Sequence, residues 1–249
     1  MWGFGPALRS LGADFGFVPF VIGTCIIVYG LALLASRGNI GMRGLTGLFA
    51  PSLNATFALG ASGAVPVFVY NRWWTVLSAA WVHGSAIHIL VNMMWVRDLA
   101  PVIADTYGAG RMIIIYTTAA ITGFILSSVM GHFLPYVPIL GGSQYTVGAS
   151  GSIFGLLGAL VYYGRRGGSS MMGRQAMSYA LMMGFFGFIM PGVDNYAHLG
   201  GFAGGYAAGR FLDPLEPERG DHLVIAVACL ALSVISVAYS VWHAFQPMS

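Results

Sequence analysis

Gly148-Ala149-Ser150-Gly151-Ser152-Ile153-Phe154-Gly155 is a run of small residues with one prominent hydroxyl placed where an apolar stretch begins. Membrane interiors keep polar side chains mainly where these are packed or used, so Ser150 reads as a candidate nucleophile. It needs a base from another apolar stretch. His198 supplies one, in Tyr196-Ala197-His198-Leu199-Gly200-Gly201-Phe202-Ala203-Gly204-Gly205. The remaining chain can be sorted by how it positions these two residues.

Composition sets the fold class. Of 249 residues, 57% are hydrophobic and only 8% charged, with a mean hydropathy of +0.76. A soluble domain carries roughly a quarter charged residues, so an all-α polytopic membrane protein is expected. The net charge of +3 comes from eleven arginines against eight acids, with no lysine. These charges fall between apolar runs, which fits a membrane topology and not a nucleic-acid surface. Cys25 and Cys229 both lie inside apolar runs, where they behave as small buried hydrophobes and imply no disulfide framework.

About seven transmembrane helices are expected, at roughly 17–36, 86–104, 111–130, 148–164, 175–190, 195–211 and 223–245. Several sit near the lower limit for crossing about 30 Å of hydrocarbon. Residues 1–16 form a short amphipathic lead with Arg9 and Asp14, expected to be a cytoplasmic tail. Residues 17–213 make a six-helix core, and 214–249 a linker and one additional carboxyl-terminal span. Between the first two spans, residues 37–82 carry Pro51, Pro66, Arg72 and the aromatics Tyr70, Trp73, Trp74 and Trp81. A loop this long with aromatics suited to the headgroup region predicts a structured interfacial segment with short helices, partly in the membrane. With seven spans, Arg9, Arg97, Arg111, Arg165, Arg166, Arg174, Arg210 and Arg219 share one side, against Arg37, Arg43 and Arg72. Positive charge favours the cytoplasm, which places Ser150 toward the external side. A bacterial inner membrane is the expected location.

Asn92 follows His88 by four residues, so on a helix both lie on one face and can donate to a common oxygen. His83, five residues before His88, is expected to point elsewhere. A serine hydroxyl stays protonated at neutral pH and needs a base within hydrogen-bond reach, a task for a neutral imidazole such as His198. The attacked carbonyl becomes an oxyanion, and preorganised donors in a dry site each supply roughly 3–4 kcal/mol. Asn92, His88 and the Ser150 backbone N–H are the donors available. Gly151, Gly155 and Gly158 follow Ser150 at helical spacing, and Gly201, Gly205 and Gly209 follow His198 on its own face. Two such stripes allow close helix approach and bring Ser150 against His198.

Other chemistries find no footing. The Gly-x-Ser-x-Gly elbow of soluble hydrolases requires glycine where Ser152 stands. There is no His-Glu-x-x-His, no metal is expected, and no aspartate pair sits within the spans. Asn54-Ala55-Thr56 matches a glycosylation sequon, a pattern frequent by chance.

From about Trp73 to Asp213 the chain resembles the rhomboid intramembrane serine proteases. The motifs are His83-x4-His88-x3-Asn92 in the second span, Gly148-x-Ser150-Gly151 opening the fourth, and Ala197-His198-x2-Gly201-x3-Gly205 in the sixth. The resemblance implies a Ser150–His198 dyad without a third acid or cofactor, with Asn92 and His88 assisting the oxyanion. It also implies that Phe154 packs on the His198 ring. Substrates would be transmembrane segments of other membrane proteins, reaching the site laterally past the second and fifth spans. Phe185, Phe186 and Phe188 would then be either a gate or merely lipid-facing aromatics, with Pro191-Gly192-Val193-Asp194 as a cap over the site. The chain departs from the family in two places. The first-loop arginine is displaced to Arg72, before Trp74 and Thr75, and Ala100-Pro101 replaces a glycine-rich turn, with Asp105 near the acidic position.

A catalytically inactive relative that binds transmembrane helices is the second reading, opposed by the intact Ser150 and His198. A small-solute transporter is the third, and the halves show no internal repeat to support it.

Overall fold

The computed structural model describes residues 14–42, 44, 47–135, 141–190 and 192–244. Arg9, Arg43, Pro191 and nearly all of the amino-terminal lead lie outside them. The described residues are helical, with α1 at Phe17–Ala35, α2 at Leu53–Ala58, α3 at Thr75–Ser78 and α4 at Ala86–Tyr107. They continue with α5 at Ala109–Phe133, α6 at Ser150–Arg166, α7 at Ser170–Ile189, α8 at Asn195–Phe211 and α9 at Gly220–Ala244. Beyond these, the described residues contain a π-helical turn at Val65–Val69, a 3-10 turn at Ala79–Trp81 and two isolated bridges, Gly41 with Ala50 and Ser62 with Thr146.

Seven of these helices occupy the seven expected positions, and four are long and apolar enough to cross a membrane: α1, α4, α5 and most of α9. α6 and α8 reach 17 residues each, and glycine and buried serine or histidine dilute their hydropathy. Their place explains the composition, because Gly151 through Val161 are all buried within the bundle. Boundaries differ where caps decide them. α7 starts at Ser170 because the Ser169 hydroxyl accepts from Met172 N at 3.3 Å. α4 runs on through Pro101 to Tyr107, and only Gly108 separates it from α5.

The core is a tight trio of α5, α6 and α8, with α7 against α6 and α9 against α5. Glycines set the spacing. A Cβ on Gly201 would stand 2.1 Å from the Gly151 carbonyl oxygen, one on Gly205 2.1 Å from that of Gly155, and one on Gly158 2.3 Å from that of Phe202. Lipid tails are as apolar as the side chains, so close van der Waals packing is what holds such helices together.

Segment 37–82 folds into α2, α3 and short turns, as the loop reading predicts. Its aromatics divide, however. Trp73 is 49% exposed, whereas Trp81 is a core residue at 4%. Two arginines counted as topology charges are also buried. Arg72 donates from Nη1 to Phe57 O at 2.7 Å and lies over the Phe57 ring, and burial lowers its pKa. Arg111 Nη1 donates to the carbonyls of Leu212, Asp213 and Glu216 at 2.8–2.9 Å. Backbone carbonyls thus hold both guanidinium groups, which contribute little to any surface charge asymmetry.

Gly201→Ala should destabilise the protein by at least about 1–3 kcal/mol, since overpacking here strikes backbone. Gly184 meets nothing within 4 Å, so Gly184→Ala should leave stability unchanged or raise it by up to about 1 kcal/mol. Unfolding in mild detergent checks the pair, and equal midpoints would refute the glycine-contact account.

Candidate active site

Ser150 is the first residue of α6. The N–H groups of a first turn have no partners within the helix, and the dipole is positive there, so an anion beside Ser150 is stabilised. The turn before it is built for close approach. Gly148 has φ 121°, and a Cβ there would fall 2.5 Å from His88 Nε2. Gly148 N is held by Ala79 O at 2.9 Å.

His198 sits one turn into α8 and is 8% exposed. The glycine contacts that draw α8 onto α6 place His198 Nε2 2.9 Å from Ser150 Oγ. In the tautomer with the proton on Nδ1, the hydroxyl donates and the imidazole accepts, the arrangement for removing the serine proton. Phe154 stacks on the imidazole with centroids 4.1 Å apart and planes 11° from parallel. This fixes the ring's tilt without a third acid.

Across from the pair, His88 Nδ1 accepts from Gly84 N at 3.4 Å. That bond puts the His88 proton on Nε2, facing Gly148. Asn92 Nδ2 donates to His88 O at 2.8 Å, which leaves its second N–H free to point into the site. The sequence expectation for His83 fails here. Ser85, with its hydroxyl accepting from His88 N, starts α4 only at Ala86, so His83 belongs to the preceding turn. Its ring folds back to meet that of His88 at 5.2 Å, and it is fully buried. Among the described residues no three His, Cys, Asp or Glu side chains group as a metal set would.

A cavity of about 720 Å³ opens over these residues, lined by the first loop, α4, α7 and Gly192 to Asp194. Phe186 lines it, whereas Phe185 and Phe188 do not and are more than 60% exposed. The three phenylalanines therefore separate into one cavity-facing and two outward-facing residues. α4 and α7 pack little against each other and meet chiefly where Trp95 and Tyr179 touch edge to face at 5.3 Å.

Asp194 has a role the sequence reading missed. It caps α8, accepting from Ala197 N at 3.0 Å, and its other oxygen accepts from Ser127 Oγ on α5. The signal was legible, since an aspartate directly before a helical stripe is a standard amino-terminal cap. At the far end of α8, a hydrogen bond from Leu215 N and then the pair with Arg166 hold the Asp213 carboxyl below its ordinary pKa.

A family model described as Rhomboid domain matches residues 70–214. The chain belongs to the rhomboid family. It is 33% identical over 168 residues to "Rhomboid protease GluP" of Bacillus subtilis (strain 168), covering 66% of this chain and 31% of that protein. To "RHOMBOID-like protein 4" of Arabidopsis thaliana it is 30% identical over 181 residues, covering 70% and 42%. To "Rhomboid-like protease 5" of Toxoplasma gondii it is 29% identical over 182 residues, covering 71% and 20%. The chain thus spans between a fifth and a half of these relatives. Rhomboid membership together with the apolar helices makes it an integral membrane protein. Relatives in a bacterium, a plant and Toxoplasma give the expected bacterial membrane no support.

Asp194→Ala should lower stability by about 0.5–2 kcal/mol through loss of the cap, and Asp194→Asn by clearly less. Chemical unfolding of the purified protein measures both, and an Asp194→Ala midpoint equal to wild type would refute the capping role.

Proposed function

We propose that this protein is an intramembrane serine endopeptidase that cleaves transmembrane segments of other membrane proteins. The carrying observation is the 2.9 Å approach of Ser150 Oγ to His198 Nε2 at the start of a largely buried helix. In the proposed reaction Ser150 Oγ attacks the scissile carbonyl carbon while its proton passes to His198 Nε2. The carbonyl oxygen becomes an oxyanion facing the Ser150 N–H, His88 Nε2–H and Asn92 Nδ2–H. Collapse breaks the C–N bond, and the amine leaves with the proton held on His198. Water, deprotonated by the same imidazole, then hydrolyses the acyl-serine and restores the hydroxyl.

His83, Gly148, Gly151, Phe154, Gly201 and Gly205 serve as supports in this scheme. Residues 17–213 form its catalytic core, and 214–249 the linker and a further span. The exposed Arg97, Arg165, Arg166, Arg174, Arg210 and Arg219 favour the cytoplasmic side. The amino terminus then lies in the cytoplasm, and the cavity opens externally. Substrate reaches Ser150 from the lipid through the loosely packed side between α4 and α7.

With a model single-span substrate in liposomes, Ser150→Ala should abolish cleavage and labelling by a fluorophosphonate. His198→Ala should slow both by roughly 10²–10⁴-fold. Asn92→Ala should lower kcat by about 10²-fold or more, with binding little changed. Cleavage by Ser150→Ala at the wild-type rate would sink the nucleophile assignment. A folded wild type that neither cleaves nor labels would favour the helix-binding reading.

A further inference from the structure

α9 lies outside the matched domain, yet it is fastened to the core at both ends. At one end the linker between α8 and α9 wraps around Arg111, and Glu218 accepts from Arg111 N at 2.8 Å. At the other end, three serines spaced three and four residues apart, Ser233, Ser236 and Ser240, form a buried stripe on an otherwise apolar helix. Ser233 bonds back to Cys229 O within α9. The other two reach across to the first loop. Ser236 Oγ donates to Trp74 O at 2.6 Å, and Trp74 Nε1 donates to Ser240 Oγ at 2.9 Å. Ser240 Oγ is also 3.4 Å from Ser78 Oγ, which donates to Gly60 O at 3.0 Å. The Trp74 ring packs edge-on to Tyr239 at 4.5 Å.

The turn gripped in this way leads directly to Ser150. Residue 79, next to Ser78, offers the carbonyl that holds Gly148 N at 2.9 Å. A parallel route starts at Thr75, whose hydroxyl bonds Ser62 Oγ at 3.2 Å. Ser62 in turn exchanges two backbone bonds with Thr146, at 2.8 and 3.0 Å. Both routes converge on residues 146–148, immediately before the nucleophile.

We infer that α9 is a positioning element of the active site: Ser236 and Ser240 set where the Trp74–Trp81 turn sits, and that turn holds the backbone presenting Ser150. Ser236, Ser240 and Trp74 are therefore positioning residues that act through Ala79 and Gly148. The inference rests on the reading of Ser150 as nucleophile. It also answers the displaced arginine of the first loop. Arg72 is spent on the carbonyls of Phe57 and Ala58, and Trp74 takes its anchor from α9.

The test is the rate at which a fluorophosphonate labels Ser150 in the full chain, scaled to the folded fraction, alongside the unfolding midpoint. Ser236→Ala, Ser240→Ala and Trp74→Phe should each slow labelling roughly tenfold, as expected when a reacting group is misplaced. Ser240→Ala combined with Trp74→Phe should be slower than Ser240→Ala alone by less than the Trp74→Phe effect, because both remove the Trp74–Ser240 hydrogen bond. Leu230→Ala, which trims packing elsewhere on α9, should lower the midpoint and label at the wild-type rate. Trp74→Phe keeps an aromatic ring while removing the Nε1–H donor, and serves if Ser240→Ala fails to fold. Wild-type labelling rates in folded Ser236→Ala and Ser240→Ala would overturn the inference and leave α9 a purely structural helix. A wild type that does not label would overturn the nucleophile reading and this inference with it.

Discussion

Backbone-to-backbone contact between α6 and α8 is the constraint on which the site depends. The Gly151–Gly201 and Gly155–Gly205 approaches leave no room for a single methyl group. A methyl group at either crossing would force the helices apart by more than the slack in a 2.9 Å hydrogen bond. Ser150 and His198 would then no longer share a proton. A further glycine brings α5 into the trio, since a Cβ on Gly123 would lie 2.6 Å from Ala197 O, one residue before His198. Water on either side would loosen such contacts; here each carbonyl is either within a helix or pressed against a neighbour.

Around this trio many polar groups bond to nearby carbonyls, whereas Ser128 Oγ and both His83 ring nitrogens are buried with no hydrogen-bond partner among the described residues. Thr122 Oγ1 bonds Gly200 O at 2.9 Å, Tyr107 OH bonds Ala159 O at 2.9 Å, and Arg111 gathers three carbonyls. His198 is set apart by its partner, Ser150. Its Nε2 meets only the hydroxyl it would deprotonate, and among the described residues its buried Nδ1 has no hydrogen-bond partner. Stacking on Phe154, not a carboxylate, holds the ring.

Helix faces and glycine stripes were readable in the sequence because they repeat at fixed spacing. The Ser150–His198 encounter and the His88–Asn92 face follow from that periodicity, and the helical loop from its length and aromatics. What stayed hidden depends on where a helix starts or on contacts between distant residues. His83 is expected to point away because five residues do not return to one helix face, but it lies in the turn before the Ser85 cap, where that spacing rule does not apply. Trp74 and Ser240 are 166 residues apart, and no spacing rule links them. The three serines of α9 stand at helical spacing, yet spacing does not name a partner. Arg72 and Arg111 looked like topology charges because composition cannot show a guanidinium turned inward onto carbonyls.

α7 is built differently from its neighbours. Its buried residues are Gly173, Ala176, Ala180 and Gly187, all small, while Leu181, Phe185, Phe188 and Ile189 face outward. A soluble protein would expose apolar surface to water by releasing such a helix, but in a bilayer acyl chains replace the lost contacts. Withdrawing α7 forfeits the close Gly164–Gly173 approach and the partly buried packing of Met172, Met177, Tyr179 and Met183, but no large side chain of α7 that is fully buried. Its position is therefore sensitive to the surrounding lipid. Bilayer thickness and chain order enter the energy of this helix directly, so the width of the opening beside Ser150 becomes a property shared by the protein and its solvent.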